Sequence, residues 1–259
     1  MITKKIDHLN LEQIAESGQC FRWEKTKDGY EIPAFGKVLN CVQEGDVFTF
    51  DCTESEWQNL WENYFDIGFD YADVERRIRE SKDEHLILSF NEGSGIRILN
   101  QDLWEIIVSF VISQNNNIPR IRKSIEKICE KANPDTKVFP RADDLPQDFF
   151  DDTSLGLGYR DVYLRELVSY VKENPGWIES LKKMNYDEAF ESLVKRKGIG
   201  KKVANCICLF GLHHVDAFPV DTHVKQLLDK YYSNGFDFER FDGIAGIIQQ
   251  YLFYFEIAR

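Results

Sequence analysis

Along the first fifty residues the apolar positions fall in short runs, at 20–23, 30–35, 37–42 and 47–51. The runs are rich in β-branched and aromatic residues and are separated by turn formers: Asp28-Gly29, Gly36 and Glu44-Gly45-Asp46. That spacing predicts an antiparallel sheet. Thr53 and Glu56 then form a capping box, which opens a helix carrying Trp57, Leu60, Trp61, Tyr64 and Phe65. A charge-rich second helix is predicted over 71–81. From about residue 95 the period changes. Leu103, Ile106, Ile107, Phe110 and Val111 recur at helical spacing, as one apolar stripe. The polar turn Asn115-Asn116-Asn117 follows, and Pro119 sits at a first-turn position ahead of Ile121, Ile125, Ile128 and Cys129. An acidic, proline-containing linker (134–153) precedes Leu155-Gly156-Leu157-Gly158-Tyr159 and a helix to about 173. Further helices are predicted over 186–196, 201–212, 222–232 and 240–257. The pattern is α+β: a small N-terminal antiparallel sheet domain with covering helices, residues 1–94, then a larger helical domain, residues 95–259.

Composition fits such a chain. Of 259 residues, 43% are hydrophobic and 14% aromatic, enough for a packed core. No apolar run is long enough to span a membrane, and Met1-Ile2-Thr3-Lys4-Lys5 lacks the apolar core of a signal peptide. The expectation is a soluble monomer without targeting segment or membrane partner. The six cysteines include no C-x-x-C pair and no zinc or iron–sulfur spacing, so buried reduced thiols are expected, with no metal and no cofactor.

The net charge of −12 speaks against a nucleic-acid binder. Its distribution weakens that objection: residues 44–92 carry 14 acids against 4 bases, whereas Lys195, Arg196, Lys197, Lys201 and Lys202 put five cations into eight residues. Phosphate binding follows local potential more than net charge. A solvated helix end would carry the same cluster.

Within it, Gly198 and Gly200 stand one residue apart between two helical segments, a helix-hairpin-helix at about 187–212. Backbone N–H groups there can approach a phosphate closely because no Cβ intervenes and a helix begins. An ordinary helix–helix turn would use the same glycines. Lys202 lies just inside the second helix, with Cys206 one turn on, on the same face. An amine attacks only without its proton. Desolvation and neighbouring positive potential favour the neutral form, and Lys201 and the helix N-terminus stand beside Lys202. The bland alternative is a solvated lysine. Asp221 precedes an amphipathic run as a good N-cap, a position that also favours a carboxylate able to stabilise developing positive charge. His223 either meets a phosphate or simply lies in that helix. Gln249 and Phe253 are one turn apart in a segment apolar almost all round, suited to reading and stacking a base or to packing as core.

Together with Ser17-Gly18-Gln19-Cys20-Phe21-Arg22-Trp23, Gly95-Ile96-Arg97-Ile98-Leu99, Ser113-Gln114-Asn115-Asn116-Asn117-Ile118 and Leu155-Gly156-Leu157-Gly158-Tyr159-Arg160, these segments resemble the 8-oxoguanine DNA glycosylase/AP lyase family of the helix-hairpin-helix superfamily, from about residue 17 to the end. The resemblance implies a TATA-binding-protein-like N-terminal domain and a partner, double-stranded DNA containing oxidised guanine. It implies that Lys202 attacks C1′, expels the base and forms a Schiff base, with β-elimination nicking the strand and Asp221 assisting electrostatically. Gly18 would offer its carbonyl to the N7 hydrogen that distinguishes oxidised guanine. Gln249 would read the Watson–Crick edge, and Cys206 and Phe253 would sandwich the ring. Asn115, Arg120 and Arg160 would address the cytosine left behind, Tyr159 would wedge the duplex, and His223, Gly198 and Gly200 would contact phosphate. Arg196-Lys197 stands where the family usually has Leu-Pro, and Asn205 replaces a frequent Asp. The absence of the long eukaryotic extensions points to a compact, bacterial-type, cytoplasmic, nucleoid-associated protein.

Other readings divide on particular residues. A related glycosylase for alkylated or ring-opened bases is one alternative, and Lys202 argues against its monofunctional members, which lack the lysine. The iron–sulfur branch needs four cysteines after the hairpin, and none follows Cys208. A non-catalytic docking module leaves Lys202, Asp221, Gln249 and Phe253 without a role. A DNA-independent interaction protein fits the acidity alone.

Overall fold

The computed structural model describes residues 1–136 and 138–257. Five antiparallel strands form the N-terminal sheet: β1 (Ile2–Lys5), β2 (Glu24–Lys25), β3 (Tyr30–Ala34), β4 (Lys37–Glu44) and β5 (Val47–Phe50), in the order β1-β5-β4-β3-β2. The β3–β4 hairpin pairs Ala34 with Lys37. Its two loop residues, Phe35 and Gly36, both have positive φ, the mirror-image turn whose twist matches that of the strands. Alternation sends Tyr30, Ile32 and Ala34, with Leu39, Cys41, Phe48 and Phe50, to the buried face. There they meet a continuous helix built of α2 (Glu54–Glu56), a π turn over Trp57–Trp61 and α3 (Glu62–Tyr64). The capping box at Thr53 is formed, and Trp57, Trp61, Tyr64 and Phe65 fill the space beneath the sheet, with the Phe50 and Trp57 rings 4.4 Å apart.

The run at 20–23 is not a strand. Its side chains are tied to helices instead: Trp23 Nε1 donates to Tyr64 Oη at 2.8 Å, and Arg22 pairs with Glu105 at 2.9 Å. The two-residue β2 comes just after it. β1 and the short helix α1 (Leu11–Glu16) lay below what periodicity resolves, and Asn10 caps α1 by accepting from Gln13 N.

Helices α4 (Tyr71–Ser81) and α5 (Glu84–Gly93) fall inside the segment expected to cover the sheet. They bury Val74, Ile78, Leu86 and Phe90 in the larger helical core instead. That core continues through α6 (Leu103–Ser113), α7 (Ile118–Ala132), α8 (Arg160–Glu173), α9 (Trp177–Leu181), α10 (Tyr186–Val194), α11 (Lys201–Gly211), α12 (Thr222–Tyr231) and α13 (Ala245–Ile257). The stretch expected as a linker is in fact packed: short 3-10 turns at Ala142–Asp144 and Phe149–Asp151 bury Leu145, Phe149 and Phe150. The last helix begins at Ala245 rather than near 240, because Gly243 turns the chain with φ +79° after a separate 3-10 turn at Glu239–Phe241. Two buried helices lie at the centre. α6 is buried at almost every position and crosses α11 so closely that a Cβ on Gly211 would stand 2.9 Å from Leu103.

Candidate active site

The hairpin between α10 and α11 is built from both ends. Asn185 and Glu188 form a capping box at the start of α10. At its end Arg196 N and Ile199 N close successive turns onto Leu193 O and Arg196 O. Gly198 has φ +82° and rests on Tyr163, leaving no room for a side chain, and Gln114 Nε2 holds its carbonyl at 2.8 Å. Gly200 differs. Its φ of −83° suits any residue, nothing lies within 4 Å of where a Cβ would be, and it caps α11 without a side chain. Its surroundings are open and its helix start is uncapped, the arrangement an anion needs to reach backbone N–H groups. Of the five cations, Lys197 pairs with Glu166 at 2.5 Å and Arg196 stacks on Tyr170 at 3.8 Å, while Lys195 and Lys201 lie exposed.

Lys202 turns the other way. It is half-buried, and its Nζ stands 5.6 Å above the ring of Phe110 on α6. One turn on, Cys206 is buried. Burial pushes its thiol up, and Lys202 draws it back by charge and by hydrogen bond, while the nearby Asp221 acts in the raising direction. Lys202 and Asp221 therefore both act on the Cys206 thiol, in opposite directions. Asp221 is half-buried at the N-cap of α12, where Oδ1 accepts from Val224 N at 2.9 Å. His223 is exposed on the first turn of the same helix.

α13 supplies the next wall. Gly246 lets it approach the 212–220 loop: its N–H bonds Val215 O at 2.6 Å, and a Cβ would strike Ala217 O. That contact holds α13 beside the chain leading into Asp221. Gln249 is buried and accepts from Gln250 Nε2 at 3.1 Å. Phe253 is half-buried, packed on Phe218, Val224 and Ala245. Its Cε1 lies 3.4 Å from where a Cβ on Gly18 would stand, so the N-terminal segment meets α13 here. Gly18 has φ +76° and sits between two buried polar residues, Ser17 and Gln19.

A second group lies just beyond the C-terminal end of α6. Asn115, with φ +47°, donates Nδ2–H to Tyr159 Oη at 3.0 Å, and Tyr159 is about half exposed. Arg120 is exposed on the first turn of α7, whose cap is Asn117. Arg160 is 5% exposed and turned inward. Its Nε and Nη2 donate to Gln114 O, Nη2 also to Asn115 O at 2.9 Å, and Nη1 to Leu157 O at 3.0 Å. It thus braces the loop that carries Asn115 and stacks on Tyr159. A cleft of about 1080 Å³ opens elsewhere, between the sheet, α7 and the start of α6, with Arg22, Trp104 and Glu105 in its lining. None of the residues above lines it.

The comparisons with known proteins agree in one direction. The family model described as "8-oxoguanine DNA glycosylase, N-terminal domain" matches residues 1–107. An N-glycosylase/DNA lyase of Saccharomyces cerevisiae is 34% identical over 259 residues, covering 86% of this chain and 68% of the relative. A probable N-glycosylase/DNA lyase of Methanothermobacter thermautotrophicus is 31% identical, covering 86% of this chain and 83% of its own length. This chain belongs to the 8-oxoguanine DNA glycosylase family. The fold agrees: a Clostridium acetobutylicum 8-oxoguanine glycosylase/lyase, solved with double-stranded DNA containing cytosine opposite 8-oxoG, superposes with a TM-score of 0.87 at 34% identity, covering 99% of this chain and 97% of that one.

Within this 8-oxoguanine glycosylase-family chain, the residues that sequence reasoning missed are those that support the others. Phe110 was one position in an apolar stripe and proves to lie under Lys202. Gln114 was part of a motif and proves to tie that loop to the hairpin. The Arg196-Lys197 pair in place of the family's usual Leu-Pro reaches back onto α8, through Tyr170 and Glu166.

Proposed function

We propose that this chain is a bifunctional DNA glycosylase/AP lyase that excises 8-oxoguanine from duplex DNA in base excision repair. The observation that carries the reading is Lys202: half-buried over Phe110 and one turn before the buried Cys206, whose thiol feels both Lys202 and Asp221, in a chain spanning nearly the whole length of a glycosylase/lyase solved on such DNA. The uncharged amine of Lys202 attacks C1′ of an extruded nucleotide, and the glycosidic C–N electron pair leaves with the base, which takes up a proton. The attached nitrogen, having given up a proton to the departing base, opens the sugar ring with its freed lone pair, and O4′ takes up a proton from solvent to leave a protonated Schiff base. Loss of a C2′ proton expels the 3′ phosphate and nicks the strand. The Asp221 carboxylate stabilises the positive charge that develops on the sugar.

Recognition is assigned around that centre. The Gly18 carbonyl accepts the N7 hydrogen of the lesion. A buried acceptor left unpaired by guanine costs about 1–3 kcal/mol, roughly 10- to 100-fold. Gln249 reads the Watson–Crick edge, Phe253 and Cys206 stack on the ring, and stacking offsets an extrusion cost of a few kcal/mol. Asn115, Arg120 and Arg160 address the unpaired cytosine, Tyr159 wedges the gap, and the Gly198–Gly200 hairpin and His223 hold phosphates. Along the chain, residues 1–94 contribute Gly18 and residues 95–259 the rest. The chain acts as a cytoplasmic monomer on nucleoid DNA. Among the described residues no helix is long and apolar enough to cross a membrane.

Borohydride reduction tests the reading. It should trap a covalent adduct with duplex DNA containing 8-oxoguanine, and Lys202→Gln should abolish trapping while binding persists. Undiminished trapping in Lys202→Gln would overturn the assignment.

A further inference from the structure

We infer that Gln19 is a positioning residue that holds the Gly18 carbonyl in register for reading the lesion. The inference rests on the function proposed above. Gly18 lies in the left-handed region, a conformation its neighbours must maintain, and it faces Phe253 at 3.4 Å from a would-be Cβ. Both neighbours are buried: Ser17 is 1% exposed and Gln19 is inaccessible. Their side chains bond each other around the glycine, Gln19 Nε2 donating to Ser17 Oγ at 2.9 Å. Ser17 Oγ in turn donates to Ile14 O at 2.8 Å, which fixes the segment to the end of α1.

The same carboxamide reaches across the chain. Nε2 also donates to Arg97 O, and Oε1 accepts from Leu99 N, each at 2.9 Å. Gln101 Nε2 completes the attachment by donating to Gln19 O at 2.9 Å. The strap 97–101 is itself immobilised, because Arg97 places its guanidinium on the carbonyls of Asp7, His8 and Asp66. One amide thus uses both donors and its acceptor with no solvent to share them. A one-methylene change or loss of an end of this clamp lets the Gly18 peptide turn. The Gly95–Leu99 motif, which carries no reacting group, acquires a role as the rail to which the reading carbonyl is fastened.

A clamp on base reading should affect base release and spare the strand-cleavage chemistry, which needs Lys202 and Asp221 on α11 and α12 but no base. The test compares single-turnover excision from an 8-oxoguanine·cytosine duplex with cleavage of the same duplex bearing a preformed abasic site. Gln19→Met should slow excision roughly 10- to 100-fold and narrow the preference for 8-oxoguanine over guanine, as expected for one displaced buried acceptor, while abasic cleavage is unchanged. Gln101→Met, at a half-buried position, removes the Gln19 O contact alone and should shift the same ratio in the same direction by less. A parallel fall of both activities, or unchanged excision in both variants, would overturn the role of Gln19. If the unaltered chain cleaved abasic DNA but released no 8-oxoguanine, the substrate reading would fall, and the clamp with it.

Discussion

The two hairpin glycines make opposite predictions, and the contrast separates folding from binding. At Gly198 an alanine would have to hold φ +82°, which costs about 1–2 kcal/mol for an L side chain. Its Cβ would also lie 2.6 Å from Tyr163 Cδ2, and that ring cannot retreat without moving α8. Overpacking of this kind costs about 1–3 kcal/mol. Gly198→Ala should therefore lose about 2–5 kcal/mol, a large part of the roughly 5–15 kcal/mol that holds a domain together. At Gly200 the backbone is ordinary and the space empty, and a serine would give α11 the side-chain cap it lacks. Gly200→Ser should leave stability unchanged or raise it by a few tenths of a kcal/mol, roughly. It should nevertheless weaken DNA binding about 10- to 100-fold, because its side chain stands where a phosphate would meet the N–H groups. Guanidinium unfolding measures the first quantity, and titration of a labelled duplex at fixed salt the second. Equal destabilisation by the two variants, or wild-type DNA affinity in Gly200→Ser, would refute the division of labour.

Two further outcomes follow from the site and the interior. Asp221→Asn keeps an equally good N-cap and should unfold like the wild type yet lose most excision, whereas Asp221→Ala should lose activity and also about 1 kcal/mol. If Asp221→Asn were fully active, the carboxylate would be a cap and nothing more. Glu105, paired with Arg22, is raised by burial to about 7 from an ordinary value of 4.5. Between those values the folded chain keeps a proton that the unfolded chain releases, so this group makes stability fall as pH climbs from about 4.5 through 7. Glu105→Gln should remove that slope, and its urea midpoint should gain on the wild type across the window and then run parallel. A constant difference from pH 5 to 8 would show that Glu105 does not titrate there.

Local relations in the molecule were legible in the sequence. Lys202 and Cys206 share a face because helical geometry dictates it, and Thr53 and Asp221 cap helices because short oxygen-bearing side chains reach the third N–H onward. The sheet was legible wherever alternation was strong, as in β3 and β5. What escaped depends on partners distant in the chain. No periodicity could place Phe110 under Lys202, or Gln114 on the carbonyl of Gly198, 84 residues away. The 20–23 run is apolar enough for a strand, but Arg22 and Trp23 found better partners in Glu105 and Tyr64. The helix over 71–81 was legible only as a charge-rich segment and α5 was not foreseen, because both bury their apolar face against distant parts of the chain, α5 against α13. The charged cluster read as one patch divides by direction, with Lys202 inward, Lys197 and Arg196 held by α8, and Lys195 and Lys201 in solvent.

The buried helix α6 fixes a length. Its Phe110 lies beneath the Lys202 amine and stacks on Phe210 of α11, and the residue after it holds the Gly198 carbonyl. The glycine turn and the Lys202 amine are thus mounted on one beam, and their separation is set when the chain folds. With the roles proposed above, a duplex seated on that turn would itself have to deliver the nucleotide to the amine. The distortion would then fall on the nucleic acid rather than on the protein, and a stiff, well-stacked site would resist it more than a weakened one.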